Sequence, residues 1–318
     1  MPVPGRFARG ASDTRRVIAE RPRRPPVERS GPTAEGIGRM ASHEAPGTAL
    51  VTGASSGIGR EYAVQLAGRG WDLVLVARRA ERLDALAGQL REGTGRAVET
   101  LAADLARPAD LARVAERASG GDVDLLVNNA GINGYGPFDQ VAPALLGKVL
   151  EVNVVALTAL TRAAVPGMLE RGRGAVVNVA SLLAYAGALP PGPLPERAVY
   201  AGTKAYTVVF TRTLAAELAG TPLRVQVVCP GLTATEFHLG AGDAPVGGEA
   251  RIHDEGGMPP ADVVTASLAG LEAGEVVCVP GLADAEAVSR LAAAELEVRN
   301  GSGPRMAHRY RTTEPTRE

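Results

Sequence analysis

The sequence predicts an α/β fold, built as a doubly wound parallel sheet of seven strands with helices on both faces. Short apolar runs rich in valine, leucine and alanine alternate along the chain with amphipathic segments of helical length. Runs without internal alternation are typical of strands buried on both faces, and the helices between them supply the crossovers that parallel strands need. The predicted strands are residues 48–51, 71–77, 97–103, 123–128, 174–180, 223–229 and 275–280. The clearest predicted helices are residues 79–92, 108–118, 144–170 and 200–219.

The composition indicates a neutral globular protein. The 318 residues are 45% hydrophobic and 22% charged, with a formal net charge of -1, so nothing favours binding to nucleic acid or to an acidic membrane surface. No apolar run approaches the roughly 20 residues that span a bilayer. Cys229 and Cys278 each end an apolar run, and we expect buried thiols in a reducing, cytoplasmic compartment. The four histidines lack ligand spacing, so no metal site is expected.

The two ends of the chain differ from the middle. Residues 1–44 contain nine arginines against five acidic residues, with frequent proline and glycine, which predicts a disordered basic tail. The alternatives are an organelle transit peptide, which the acidic residues disfavour, and a translation start at Met40. We expect the folded domain over residues 45–299 and a polar tail over residues 300–318.

A glycine-rich loop follows the first predicted strand. Its sequence, TGASSGIG at residues 52–59, leads directly into a helical segment. Glycines let the backbone turn tightly and approach a pyrophosphate, while the helix N-terminus supplies amide donors. Glycines in a simple tight turn are the alternative, but the strand before and the helix after favour a dinucleotide site. The predicted binding residues here are Gly53, Ser55, Ser56, Gly57, Ile58 and Gly59.

The end of the second predicted strand indicates which dinucleotide binds. In such folds an acidic residue at this point binds the ribose 2′-hydroxyl, whereas arginine accommodates a 2′-phosphate. The sequence VARR ends with Arg78 and Arg79 and has no acidic residue. We therefore expect NADP(H) to be preferred over NAD(H), with Arg78 as the main contact. Solvent-facing arginines at a helix start are the alternative.

Tyr200 and Lys204 are candidate catalytic residues, because residues four apart share one helix face. Only two of the 34 basic residues are lysines. A free tyrosine has a pKa of about 10, and a nearby ammonium together with an oxidised nicotinamide favours its ionised form. Ser181 ends the fifth predicted strand, at the edge where ligands bind in such folds. Asn153, with apolar neighbours in a predicted helix, is either functional or a helix-bending residue bonded to the backbone.

Taken together, these motifs resemble the short-chain dehydrogenase/reductase family, in its compact Rossmann-like branch. TGASSGIG, NNAG (128–131), a helical Asn, a strand-end Ser, YxxxK and PGLTAT (230–235) follow in the family's order, over about residues 46–282. The resemblance implies an oxidoreductase that interconverts a carbonyl and an alcohol by hydride transfer. A catalytically silent dinucleotide-binding regulator and a scaffold subunit are the alternatives.

The resemblance also implies a role for each site residue. Tyr200 is the general acid/base, Ser181 orients the carbonyl, Lys204 lowers the tyrosine pKa and binds the nicotinamide ribose, and Asn153 anchors a proton-relay water. The remaining predicted cofactor contacts are Asp104 and Leu105 at the adenine, Asn129, Ala130 and Gly131 along the dinucleotide, and Pro230, Gly231, Thr233 and Thr235 at the carboxamide. The relatives also suggest a homodimer or homotetramer that packs through the helices at 144–170 and 200–219.

The substrate region departs from the family pattern. Ser181 and Tyr200 are nineteen positions apart, with a proline-rich insert at 188–197 between them, which we expect to reshape the pocket wall or act as a lid. The glycine-rich segment 235–260 is expected to become ordered when a ligand binds. Phe237, Leu239 and Met258 are candidates for an apolar pocket, and a neutral or acyl-type carbonyl is the expected substrate.

Overall fold

The computed structural model describes residues 47–187, 189–190, 196–239, 257–284 and 286–310. The predicted basic tail at 1–44, most of the insert and residues 311–318 lie outside these ranges, so those predictions stay open. The elements in chain order are β1 (Thr48–Thr52), α1 (Gly57–Gly68), β2 (Asp72–Ala77), α2 (Ala80–Thr94), β3 (Val98–Ala102), α3 (Pro108–Ala118), β4 (Val123–Asn128), α4 (Pro143–Leu150), α5 (Leu157–Arg171), β5 (Ala175–Val179), α6 (Ala198–Glu217), β6 (Arg224–Val228), α7 (Pro260–Glu272), β7 (Val277–Cys278) and α8 (Glu286–Asn300).

The strands form one parallel sheet in the order β3-β2-β1-β4-β5-β6-β7, and every pairing between neighbours is parallel. The order reverses between β1 and β4, so the loops after these two strands diverge and open a crevice at their carboxyl ends. This confirms the predicted doubly wound seven-stranded fold.

Alternate residues of the central strands pack into two different layers. Val51 of β1 belongs to one core cluster with Tyr62 of α1 and Leu268 of α7. Leu50, one residue earlier, belongs to the other cluster with Leu160 of α5. Because both faces are covered by helices, the central strands are apolar at almost every position, as the sequence pattern predicted.

The last strand is shorter than predicted. The apolar run at 275–280 predicted a six-residue strand, but β7 contains only Val277 and Cys278. It lies at the sheet edge and pairs with β6 alone, and Pro280 directly after Val279 has no N–H to extend the pairing. Cys278 and Cys229 are both free and buried, as expected.

The predicted helix at 144–170 forms with an irregular middle. A π-helical segment, Glu151–Ala156, joins α4 to α5. The continuous stretch Pro143–Arg171 contains an 18-residue window with a mean hydropathy of 1.6, so by length and composition it could cross a membrane. This corrects the sequence-based statement that no segment reaches that length. Within this stretch, Leu160 and Met168 are buried against the sheet.

Candidate functional site

The loop between β1 and α1 requires glycine for two reasons. Gly53 and Gly57 have φ values of +68° and +53°, in the left-handed region that favours glycine. A Cβ on Gly59 would overlap with the carbonyl oxygen of Gly53 and the Asn129 side chain. Ser56 precedes α1 and, within the described residues, does not cap it with its side chain. The amide groups of the first turn are therefore free to face an anion.

The loop after β4 is locked beside this glycine loop. Thr52 Oγ1 accepts hydrogen bonds from the backbone N–H groups of Asn129 (3.0 Å) and Ala130 (3.0 Å). Asn129 Nδ2 donates to the Thr52 carbonyl at 2.9 Å. The predicted cofactor residues on these two loops thus meet at the point where the strand order reverses, which fits a dinucleotide lying across the crevice.

The two arginines after β2 have different surroundings. Arg79 donates to Ser55 Oγ (3.0 Å) and Ser56 Oγ (2.9 Å) on the glycine loop. Arg78 is exposed and makes no side-chain hydrogen bond or ion pair to any residue that the structure describes. Arg79 therefore lies closest to the glycine loop, although the sequence analysis gave Arg78 as the main contact, and both remain candidates for a 2′-phosphate.

The other predicted cofactor contacts lie around the same crevice. Asp104 follows β3 and lies 3.7 Å from Lys148, whereas Leu105 packs into the core beneath the sheet. Thr235 leans over the glycine loop, since its Cγ2 atom lies 3.0 Å from the position of a Cβ on Gly57. Thr233 Oγ1 donates to the carbonyl of Gly231 at 3.1 Å, which shapes the turn after Pro230.

The structure brings Ser181, Tyr200 and Lys204 together. Tyr200 is only 5% exposed, and the Ser181 side chain lies beside it, close enough to influence the pKa of its hydroxyl. Lys204 lies one helical turn later, with Nζ 5.7 Å from the centre of the Tyr200 ring. Lys204 Nζ also donates to the Val179 carbonyl at 2.8 Å, at the end of β5. The long Ser181–Tyr200 link therefore does not separate the predicted catalytic residues.

Burial moves both titratable groups towards their neutral forms. It raises the pKa of Tyr200 far above its usual range; the neighbouring Tyr135 adds to this rise, while the polar Ser181 side chain opposes it. Burial lowers the pKa of Lys204 to about 8. At neutral pH Tyr200 is therefore a neutral phenol, which can donate a proton, beside a lysine that is still mostly charged.

Asn153 connects the catalytic helix to the loop after β4. Its Oδ1 accepts from the Ile132 N–H at 2.9 Å, and its Nδ2 donates to the Ile132 carbonyl at 3.0 Å and to Thr203 Oγ1 at 3.1 Å. Both amide protons are thus engaged within the protein. Asn153 lies in the π-helical segment and fixes the loop position; its role as the anchor of a relay water stays a prediction.

An aromatic wall surrounds Tyr200. The Tyr135 ring meets it edge-to-face at 5.3 Å, and the Phe237 ring lies at 5.7 Å. Asn133 Nδ2 donates to the Phe237 carbonyl at 2.9 Å. Of the three predicted pocket residues only Phe237 is placed here, because Met258 packs against the core near α7 and the Leu239 side chain lies outside the described part.

The sequence analysis missed Tyr135 and Arg197. Tyr135 lies in the glycine-rich loop directly after NNAG, in a chain with only six tyrosines, so its position could have been recognised. Arg197 precedes α6 and is only 7% exposed, with Nη2 donating to the carbonyls of Ala186 and Leu189 at 3.2 Å each. It joins the base of the insert to the start of the catalytic helix. Arginine is so abundant here that nothing in the sequence distinguishes it.

Metal ligands are not clustered in the described part of the chain, where no group of three or more His, Cys, Asp or Glu residues could hold a metal ion.

Comparisons with known proteins agree with this geometry. The short chain dehydrogenase family model matches residues 47–243. A very-long-chain 3-oxoacyl-CoA reductase of Anas platyrhynchos is 35% identical over 208 residues, which cover 64% of this chain and 65% of the relative. The chain therefore spans just under two thirds of that relative's length.

Solved structures are similar over more of the chain. A short-chain dehydrogenase from Sphingobium yanoikuyae in complex with NADPH is 37% identical with a TM-score of 0.76, over 83% of this chain and 100% of that one. A bulky-bulky ketone specific alcohol dehydrogenase from Comamonas testosteroni is 32% identical with a TM-score of 0.73, over 83% and 98%. The chain therefore belongs to the short chain dehydrogenase family, whose members are oxidoreductases that act on CH–OH groups with a nicotinamide dinucleotide.

Proposed function

We propose that this protein is an NADP(H)-dependent oxidoreductase that interconverts a ketone, aldehyde or 3-oxoacyl group and the matching alcohol. The observation that carries the proposal is that the Ser181 side chain lies beside the buried Tyr200, with Lys204 Nζ 5.7 Å from the centre of the Tyr200 ring. This cluster lies at the carboxyl end of β5, beside the crevice where the strand order reverses.

The described residues fit a dinucleotide. Gly53, Gly57 and Gly59 leave the backbone of the first loop accessible, and the first turn of α1 presents amide groups. When bound, the nicotinamide supplies or accepts the hydride. The contribution of the chain is to bind and orient the reacting molecules and to move the proton.

In the direction of reduction, Tyr200 donates its phenolic proton to the carbonyl oxygen as the alcohol forms. Its raised pKa keeps the phenol protonated until the oxygen develops negative charge. Ser181 Oγ accepts from the Leu183 N–H at 3.1 Å, which holds the hydroxyl at the strand end where it can orient the same oxygen. Lys204 places a positive charge beside the phenolate that remains.

NADP(H) is preferred over NAD(H) in this proposal, because Arg79 faces Ser55 and Ser56 and Arg78 is exposed beside it. Guanidinium groups hold a phosphate through paired, charge-assisted hydrogen bonds. The NADPH in the complex of the Sphingobium relative supports the same choice.

The substrate is proposed to be neutral or acyl-type. Tyr135 and Phe237 give the pocket over Tyr200 an aromatic wall. Two relatives, a very-long-chain 3-oxoacyl-CoA reductase and a bulky-bulky ketone specific alcohol dehydrogenase, support an extended apolar group next to the carbonyl.

Location and assembly are also proposals. Two free, buried cysteines and a near-zero net charge support a cytoplasmic protein. Exposed apolar side chains on α6 and around the π-helical segment support a homodimer or homotetramer; they include Val209 (60% exposed), Leu150 (47%) and Val155 (42%). Light scattering of the purified protein would give the oligomeric state directly.

NADPH oxidation against aldehydes, bulky ketones and 3-oxoacyl thioesters tests the proposal. We expect turnover with at least one class, and a loss of about 10²- to 10⁴-fold in kcat in Tyr200→Phe. Tyr206→Phe is the matched control, because its hydroxyl lies on the same helix but contacts Thr158. Turnover that survives Tyr200→Phe would contradict the mechanism, and NADPH binding with no turnover on any class would favour the silent regulatory alternative.

A further inference from the structure

Two ion pairs connect Glu236, in the segment after β6, to Arg79 and Arg82 at the start of α2. Glu236 begins the short 3-10 turn Glu236–Leu239. Its Oε2 atom lies 3.2 Å from Arg79 Nη1 and 2.8 Å from Arg82 Nη1. The three side chains are between 43% and 49% exposed, so this carboxylate lies at the open rim of the crevice and not inside the core.

The Arg79 guanidinium contacts both Glu236 and the glycine loop. Besides Glu236, Arg79 donates to Ser55 Oγ and Ser56 Oγ on the glycine loop. In dinucleotide folds the glycine loop binds the pyrophosphate, and an arginine near the end of β2 accommodates the ribose 2′-phosphate. The Glu236 carboxylate therefore occupies hydrogen-bonding positions on an arginine that a 2′-phosphate would also use.

The Glu236 carboxylate and a ribose 2′-phosphate are both anions, so they would compete for the Arg79 guanidinium. The guanidinium groups of Arg82 and then Arg79 hold the pKa of Glu236 below its usual range, so it is ionised at neutral pH. A half-exposed carboxylate–arginine pair is weak because water and salt screen it. A phosphate carries more charge and more acceptor oxygens, so it can displace the carboxylate, but it has to work against the repulsion between the two anions.

We infer that Glu236 is a specificity-determining residue that competes with the 2′-phosphate for Arg79 and Arg82, and so limits the preference for NADP(H) over NAD(H). The inference rests on the proposed NADP(H) preference. Glu236 does not contact the reacting atoms in this account; it acts only on the affinity for the phosphate end of the cofactor.

Replacing Glu236 by glutamine removes the charge and keeps the size. We expect Glu236→Gln to bind 2′,5′-ADP about three- to tenfold more tightly at low salt, and 5′-AMP with an affinity within about twofold of the unsubstituted protein. Isothermal titration of the full chain with these two nucleotides isolates the 2′-phosphate without any turnover. The gain for 2′,5′-ADP is expected to shrink as salt is added, because the pair is exposed.

Glu272→Gln is the matched control. Glu272 forms a similar exposed pair with Arg69 at 2.9 Å, past the C-terminal end of α1, so it tests whether any lost acidic charge has the same effect. An equal gain in this control, or no specific gain in Glu236→Gln, would overturn the inference and leave the NADP(H) assignment intact. If the unsubstituted protein bound 2′,5′-ADP no better than 5′-AMP, the NADP(H) assignment would fail, and the inference with it.

Discussion

The cofactor side and the substrate side of the crevice are built by different means. On the cofactor side, backbone groups approach one another so closely that Gly53 and Gly59 have no room for a Cβ, and Thr52 fixes the neighbouring loop through backbone N–H groups. On the substrate side, side chains make the contacts, either with one another, as the Tyr135 and Phe237 rings do around Tyr200, or with backbone carbonyls, as Arg197 does. Backbone contacts restrict the sequence strongly, whereas side-chain contacts allow the pocket to vary.

The first prediction concerns the close backbone approach on the cofactor side of the crevice. Gly59→Ala places a Cβ against the Gly53 carbonyl and the Asn129 side chain, so we expect NADPH affinity to fall by about 100-fold, because small displacements at such sites have large effects. Gly68→Ala is the control: it lies in the same helix with nothing within 4 Å of the added Cβ. Fluorescence titration with NADPH measures both. Affinity unchanged in Gly59→Ala would show that the close approach does not control binding.

The second prediction concerns the Arg197 contacts on the substrate side of the crevice, with the cofactor side left unchanged. Arg197→Met removes the bonds to the Ala186 and Leu189 carbonyls, and losing charged hydrogen bonds of this kind is expected to lower kcat/KM for a bulky carbonyl by about thirtyfold. The KM for NADPH should stay within about twofold. Arg290→Met, which breaks only an exposed pair with Asp284, is the control. A parallel loss of NADPH binding would show that the two sides are not separable.

The third prediction concerns how the rate of carbonyl reduction depends on pH through Lys204. Because burial lowers the pKa of Lys204 to about 8, its ammonium is lost above that pH, and kcat/KM for reduction should fall by up to about tenfold per pH unit. A lysine in the unfolded chain has a pKa of about 10.4. Between the folded and the unfolded pKa, the unfolded chain therefore binds more protons than the folded chain. The contribution of Lys204 to the free energy of unfolding thus increases as the pH rises.

The alkaline loss of activity is therefore expected without any loss of stability from Lys204. Activity profiles and thermal melts over pH 6–10 separate the two effects. Lys148→Arg replaces the only other lysine and should keep the same profile. A flat activity profile up to pH 10 would contradict the role of the Lys204 charge.

The fourth prediction, with the smallest expected effect, concerns the Phe237 ring of the aromatic wall. Phe237→Ala removes one ring beside Tyr200 and is expected to raise the substrate KM by about fivefold, the size of a typical aromatic contact. The control is Phe138→Ala, since Phe138 is 65% exposed. Steady-state kinetics at saturating NADPH provide the comparison, and an unchanged KM for every carbonyl would remove Phe237 from the pocket.

The same contrast explains what the sequence could predict. The strands and the doubly wound parallel sheet follow from apolar patterning, and this prediction is confirmed, apart from the shortened β7. The position of the glycine loop follows from the spacing of its glycines, and its role in binding a dinucleotide stays a prediction. Arg197, Glu236 and the packing of Met258 depend on contacts between residues that are distant in sequence. No local pattern encodes which arginine is buried or which carboxylate meets Arg79, so these features required the structure.

In the proposed mechanism, Ser181 and Tyr200 act as one catalytic unit across the lengthened link. A double-mutant cycle with Ser181→Ala, Tyr200→Phe and both together, read as kcat for carbonyl reduction, tests this most directly. Each single change is expected to slow reduction by about 10²-fold or more, and the double variant should be no slower than Tyr200→Phe alone. Losses that multiply in the double variant would contradict the account, because the two residues would then act independently.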